Sequence, residues 1–195
     1  MSEDDATPAS RVLAAALTAF AAQGYHGTSI RDLAAGAGLS VPGVYHHYPS
    51  KQEILRVLMV RTMGTLTARL QEALDAAPAD AGARFDALVA SLVGFHLRHG
   101  AESFVASSEL RSLTPEHRAE VVGQRDEVQR MIDAAVADGV AAGLFATPAP
   151  QEAARAISVL AIGVATWYRP DGPGTPEAVI ARQCALARAL VLDRR

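Results

Sequence analysis

The sequence predicts an all-α fold of about nine helices, with a three-helix helix-turn-helix head at the N-terminus and a longer helical body behind it. Three observations carry that prediction. Apolar residues recur at spacings of three and four along most of the 195 residues. Helix-start signals punctuate the chain, twice in the form threonine-proline-glutamate. No stretch alternates apolar and polar residues with the period of a strand, and no internal repeat is present.

Residues 1–7, with Glu3, Asp4 and Asp5, read as a disordered acidic tail. Pro8 or Ser10 opens the first helix, in which Leu13, Leu17 and Phe20 share a face and Gly24 marks the end. The stretch from Thr28 to Lys51 organises the head. Ser29 suits an N-cap with Asp32 as its reciprocal partner, and Ile30, Leu33, Ala34 and Ala37 follow at helical spacing. Gly36 and Gly38 end that helix, because glycine takes a left-handed backbone at little cost. Ser40 opens the next helix with Pro42 in its first turn, Val44 faces inward, and Tyr48-Pro49 stops it. Ser50 caps the helix after that, with Glu53 completing a capping box. Two short helices about a glycine turn describe a helix-turn-helix.

In the body, Glu53 to Ala77 forms one long helix with Ile54, Leu55, Leu58, Met59, Met63, Leu66 and Leu70 inside and Pro78 as its stop. Asp80 caps a helix striped by Phe85, Leu88, Val89, Leu92, His96 and His99. A short helix spans about Glu102 to Leu113. Thr114-Pro115-Glu116 opens a helix that presents Val121, Arg125, Val128, Ile132, Val136 and Gly139 on one side. A loop at Gly143 and Ala146–Pro150 precedes a helix from Ala153 to Tyr168. Pro170–Gly174 breaks it, and Thr175-Pro176-Glu177 starts the last helix, to about Leu192. The domains that follow are the tail at 1–7, the DNA-binding head at 8–51 continuing into a linking helix over 51–77, and a ligand-binding and dimerisation body at 52–195.

The segment from Ala156 to Tyr168 is apolar all round, which demands cover on two faces. A homodimeric four-helix bundle made by this helix and the last supplies it, with Ala161, Gly163, Val164, Ile180, Cys184 and Ala187 at the interface.

Within the head, the second short helix suits a DNA major groove. Its outward residues are Val41, Pro42, Gly43, Tyr45, His46 and His47. Tyrosine and histidine donate to phosphates or reach base edges, while Val41 and Pro42 can touch a thymine methyl. Lys51, the only lysine of the chain, stands at a helix N-terminus, where ammonium and free N–H groups together suit a phosphate. The net charge of −3 excludes a generally basic nucleic-acid coat. Residues 8–51 nonetheless carry Arg11, Arg31 and Lys51 against Asp32 alone, a locally positive head on an acidic body. Cys184 is the one cysteine, which points to a reducing compartment. No signal peptide is visible, and Ala156–Tyr168 falls short of the ~18 apolar residues a membrane span needs. A cytoplasmic protein without membrane contact is expected.

Gly24-Tyr25, Thr28 to Ala34, Ala37 to Ser40 and Val44 to Lys51 together resemble the DNA-binding segment of the tetracycline-repressor (TetR) family of bacterial regulators, over about the first third of the chain. The resemblance implies operator-contacting roles for Ser29, Val41, Pro42, Gly43, Tyr45, His47 and Lys51, with Tyr45, His47 and Lys51 mainly on phosphates. Val41 and Gly43 stand where relatives often carry polar side chains, so fewer direct hydrogen bonds to bases are on offer. It also implies the dimeric arrangement drawn above.

Other candidates were weighed on their chemistry. His96 and His99 have the helical spacing of a metal pair and His117 is not far in sequence, but no carboxylate or cysteine completes a cluster locally, so pocket-lining or core histidines fit better. Ser107-Ser108 lacks a nucleophile elbow and Cys184 a neighbouring base, so no enzyme, cofactor or metal is expected. Arg125 interrupts an apolar stripe, which calls either for an ion pair with Glu109 or for a ligand anion or carbonyl. Met59, Met63, Phe85, Phe95 and Phe104 offer apolar cavity walls or plain core. Ser108-Glu109-Leu110-Arg111, Gln124-Arg125-Asp126 and Trp167-Tyr168-Arg169-Pro170 before Thr175-Pro176-Glu177 are similar to one branch of the TetR family, which regulates fatty-acid or sterol-ring catabolism in response to acyl-CoA thioesters. That resemblance implies a repressor on a palindromic operator, released by a small hydrophobic effector. The residues expected to hold it are Met59, Met63, Phe85 and Phe104 as apolar walls, His96, His99 and Arg125 as polar points on apolar stripes, and Arg169 near Trp167 at the mouth. The alternatives are an efflux-gene regulator induced by lipophilic drugs and a ligand-free architectural DNA-binding protein.

Overall fold

The computed structural model describes residues 7–192, so the acidic stretch at 1–6 lies outside the described residues. Among those described, nine α-helices and one 3-10 turn occur, with no strand. They are α1 (Pro8–Gly27), α2 (Ile30–Ala37), α3 (Val41–His47), α4 (Lys51–Ala76), α5 (Ala81–Arg98), α6 (Gly100–Ser108), the 3-10 turn Leu110–Ser112, α7 (Pro115–Ala141), α8 (Pro150–Trp167) and α9 (Pro176–Val191). The chain forms two compact units. One holds the residues up to Met63 together with Ala101–Val122, and the other holds Gly64–Gly100 and the residues from Gly123 onward. Helices α4 and α7 run through both.

In the first unit, α1 packs on both α2 and α3. Val12, Ala16 and Phe20 of α1, Leu33 of α2 and Val44 of α3 are fully buried and make the core of the head, continued by Ile54 and Leu55 of α4. Pro8 opens α1 and Thr7 caps it, its hydroxyl accepting the Ser10 N–H at 3.2 Å. Gly24 kinks this helix with a positive φ of 73° instead of ending it, and one more turn follows to Gly27. The Ser29–Asp32 capping box forms in both directions, and Gly38 ends α2 with φ 63°. Gly36 does not end the helix. It lies inside α2, where a Cβ would stand 3.0 Å from the Cβ of Ala15, so its small size lets α1 and α2 approach closely. Ser50 caps α4 by accepting the Glu53 N–H at 3.0 Å, but Glu53 does not return the bond. Its carboxylate takes two bonds from Arg56 instead, at 2.7 and 2.8 Å, since a guanidinium fork one turn away outcompetes a backbone N–H. The helix expected from Glu102 to Leu113 is two pieces, because the chain bends at Glu109 between α6 and the 3-10 turn.

The second unit is built from α5 against α8 and α9, with α8 also on α9. Asp80 caps α5 through the Ala83 N–H at 2.8 Å, and Thr175 caps α9 through Ala178. Phe85, Leu88 and Val89 of α5, Ile157, Ala161 and Val164 of α8, and Ala187 and Val191 of α9 are fully buried. Arg188 fastens α9 to α5 by a forked pair of bonds to Asp86 at 2.6 and 2.7 Å and a third to the Gly82 carbonyl. Phe145, from the loop after α7, meets Phe85 edge-on at 4.9 Å and fills the space left by the missing side chain of Gly139.

Of the residues expected at a dimer interface, Ala161, Val164 and Ala187 are fully enclosed within their own unit. Gly163, Ile180 and Cys184 are only partly covered. The apolar residues that α8 and α9 do expose are Val159 at 69%, Trp167 at 52% and Leu186 at 51%, with Leu190 beside them in sequence.

Candidate nucleic-acid interface and effector residues

The exposed face of α3 is held from beneath. Val44 is buried under it, and the buried Tyr48 donates its hydroxyl to the Ala9 carbonyl at 3.2 Å, tying the end of α3 to the start of α1. Burial raises the Tyr48 phenol above its ordinary range, so it stays a donor. Ser40 caps the other end through the Gly43 N–H at 3.2 Å. Between these anchors Pro42, Tyr45, His46 and His47 are exposed, Tyr45 at 49%, while Val41 and Gly43 are half-covered. The His46 and His47 rings meet edge-on at 5.1 Å. Ser29 is exposed at the tip of α2, its oxygen accepting the Asp32 N–H and its own N–H bonded to the Asp32 carboxylate at 2.7 Å. Hydrogen bonding to the carboxyl by the Ser29 side chain, and then by the Ser29 backbone N–H, holds Asp32 below its usual range, so the cap persists into mild acid. The sequence-predicted residues on α2 and α3 are thus exposed or half-covered.

Lys51 is placed differently from a free surface cation. Its ammonium donates to the carbonyls of Tyr25 at 2.8 Å and Thr28 at 2.6 Å, and lies 4.2 Å from the centre of the Tyr25 ring. Burial lowers its pKa. The ammonium therefore closes the junction between α1, α2 and α4, and one of its three N–H groups remains beyond these two bonds. Its neighbour Gln52 extends the junction. The Gln52 amide donates to the Tyr25 hydroxyl at 2.9 Å and the Ser112 carbonyl at 2.6 Å, and accepts the Thr114 N–H at 3.2 Å. One turn on, Arg56 bridges Glu53 and Glu120 of α7, and these bonds raise its pKa further. The first turn of α4 thereby joins the end of α1 to the corner between α6 and α7.

Sequence reasoning missed Gln52 and Arg56, and counted Arg31 only toward the charge of the head. Arg31 is an exposed guanidinium in the first turn of α2, next to Ser29, and its charge was the available signal. Nothing in the local sequence marks Gln52, since its partners lie 27 and 60 residues away.

The expected effector residues divide between the units. Met59 and Met63 are buried and Phe104 is 43% exposed in the first unit, so Phe104 is a surface residue on its own helix. In the second unit Phe85 is fully buried against Phe145, as core. His96 and His99 are brought together around Phe95, which stacks on His99 at 4.5 Å and meets His96 edge-on at 5.6 Å. Burial, and then the charge of His99, push the His96 pKa down to about 4, so His96 is neutral at physiological pH. Burial also lowers the Arg125 pKa. Trp167, the last residue of α8, and Arg169 just after it are exposed. Burial pushes the Cys184 thiol up, the opposite of a reactive thiolate.

Comparison with known proteins agrees with this geometry. Residues 12–58 match the family described as "Bacterial regulatory proteins, tetR family", and residues 78–191 match "Tetracyclin repressor-like, C-terminal domain". The chain is 29% identical over 177 residues to the HTH-type transcriptional repressor KstR2 of Mycolicibacterium smegmatis, covering 88% of this chain and 86% of that one. A bacterial regulatory protein in the tetR family from Rhodococcus RHA1 superimposes with a TM-score of 0.88 at 30% identity over the whole of both chains. AibR, solved with isovaleryl coenzyme A and operator DNA, has the same fold, with a TM-score of 0.84 at 22% identity over 92% of this chain and 97% of that one. No helix among the described residues is long and apolar enough to cross a membrane. With both halves matched, the chain belongs to the TetR family of bacterial regulatory proteins.

Proposed function

We propose that this protein is a cytoplasmic, non-enzymatic repressor that binds a palindromic operator as a homodimer and is released by an acyl-coenzyme A thioester. The observation that carries the DNA reading is the exposed face of α3, anchored by Val44, Tyr48 and Ser40 so that Tyr45, His46 and His47 project on a rigid base. Ser29 and Arg31 on α2 and the remaining N–H of Lys51 add phosphate donors beside it. Val41, Pro42 and Gly43 give apolar contact but no base-edge hydrogen bond, so part of the selectivity comes from duplex shape. Support for the effector class is chemical. A thioester carbonyl and phosphates want cations; Arg125 interrupts the apolar stripe of α7 and Arg169 is an exposed cation just after α8, whereas a lipophilic cation would want acids there. The repressor KstR2 is a relative over most of the chain, and the fold itself accommodates isovaleryl coenzyme A and operator DNA in AibR.

Selection of bound duplexes from a random pool tests the DNA reading. The enriched sites should be palindromes with half-site centres one helical turn, about 34–36 Å, or a multiple of it apart. Retention of all duplexes alike, with no motif enriched, would favour an architectural protein instead.

A further inference from the structure

At the corner between α6 and α7, Ser107, Ser108, Leu110, Arg111 and Arg118 line an open cleft of about 520 Å³. Two guanidiniums share this cleft and no carboxylate lines it. Arg118 is fixed in place, its Nε donating to the Leu110 carbonyl at 3.3 Å, which leaves its two terminal nitrogens as further donors. The nearest acid in sequence, Glu109, is committed elsewhere. One of its oxygens accepts the Ser112 hydroxyl at 2.8 Å, and the other lies 3.4 Å from where a Cβ on Gly24 would stand. The Ser108 hydroxyl is enclosed without a hydrogen-bond partner. A buried hydroxyl left unpaired costs stability, and two like charges in one cleft repel each other. A tetrahedral dianion relieves that repulsion, since it takes charge-assisted bonds from both guanidiniums.

We infer that this cleft binds the phosphate group of a small metabolite, at a site distinct from the α2–α3 face. The volume far exceeds one phosphate, so room remains for the molecule that carries it. Occupancy has a route to the head, because Ser112 and Thr114 of the same corner are the backbone groups that Gln52 grips. The inference stands independently of the acyl-CoA reading, which concerns other residues.

The test is calorimetric titration of the full chain with potassium phosphate against potassium chloride at matched ionic strength, followed by free coenzyme A. Phosphate should bind at one site and chloride should not. Affinity should fall at least tenfold in the Arg111→Gln, Arg118→Gln double variant. It should be unchanged in Ser108→Ala, because that hydroxyl is enclosed and does not open on the cleft. Displacement of phosphate by coenzyme A would assign a nucleotide-borne phosphate, and failure to displace would assign free phosphate or a smaller ester. Absence of phosphate binding, or binding unchanged in the double variant, overturns the inference. So does a loss of about two from the salt slope of operator binding in phosphate-free buffer, which would make the two arginines DNA contacts while leaving the repressor reading intact.

Discussion

Lys51 holds the head together with one ammonium, gripping the Tyr25 and Thr28 carbonyls across the junction of three helices. Lys51→Ala removes two charge-assisted hydrogen bonds and should cost about 1–3 kcal/mol of stability, read as a lower denaturant midpoint. It should also reduce the salt slope of operator binding by about one, through the N–H left for a phosphate. A stability loss with an unchanged slope would confine Lys51 to the junction. His96 offers a second residue-level test. Its pKa is about 4 folded against an ordinary 6.5, so the unfolded chain binds the extra proton between those values. Stability is therefore fully present above pH 6.5 and declines as pH falls toward 4, by about 3 kcal/mol from this group alone. His96→Gln should flatten that decline in thermal unfolding between pH 7 and 4.5, and an equally steep decline in the variant would contradict the assignment.

Among elements, the ends were legible and the joints were not. Caps are local chemistry, so Ser29, Ser40, Asp80 and Thr175 could be read as helix starts, and each accepts the backbone N–H expected of it. Stripes such as Val121, Val128, Ile132 and Val136 were legible for the same reason, since helical spacing alone places them on one face. What a glycine or a charged side chain does depends on a partner far along the chain. Gly36 was read as a stop and instead admits Ala15, and Glu53 was read as a cap and instead binds Arg56. Among the small residues of α8, Ala161 is buried whereas Ala156, Gly163 and Ala165 are half-covered, a division that depends on which neighbours pack there and not on the local sequence. Gly139 is the clearest tertiary case, because a Cβ there would stand 2.1 Å from the buried Phe145 ring. Gly139→Ala should destabilise by about 1–3 kcal/mol, measured by denaturant unfolding, as the ring is forced from its seat against Phe85. A neutral result would mean that the loop carrying Phe145 yields freely.

For the whole molecule, the account requires that two copies meet and that a ligand changes how they hold DNA. The exposed apolar line on α8 and α9 is the surface proposed for the first requirement. Arginine at Val159 or Leu186 should yield monomers in sedimentation without unfolding the chain, since both side chains are exposed. An intact dimer in both variants would place the interface elsewhere. The second requirement is modest in energy, since a coupling of about 1–3 kcal/mol changes operator affinity 5- to 150-fold. The direct test is the anisotropy of labelled operator duplex bound to the protein, titrated with acyl-coenzyme A thioesters of increasing chain length, with free coenzyme A and with lipophilic cations. The account predicts release by thioesters over a limited range of chain lengths, and loss of that response in Arg125→Ala with DNA affinity intact. Operator that stays bound at every thioester, or that is released by the cations alone, would contradict it.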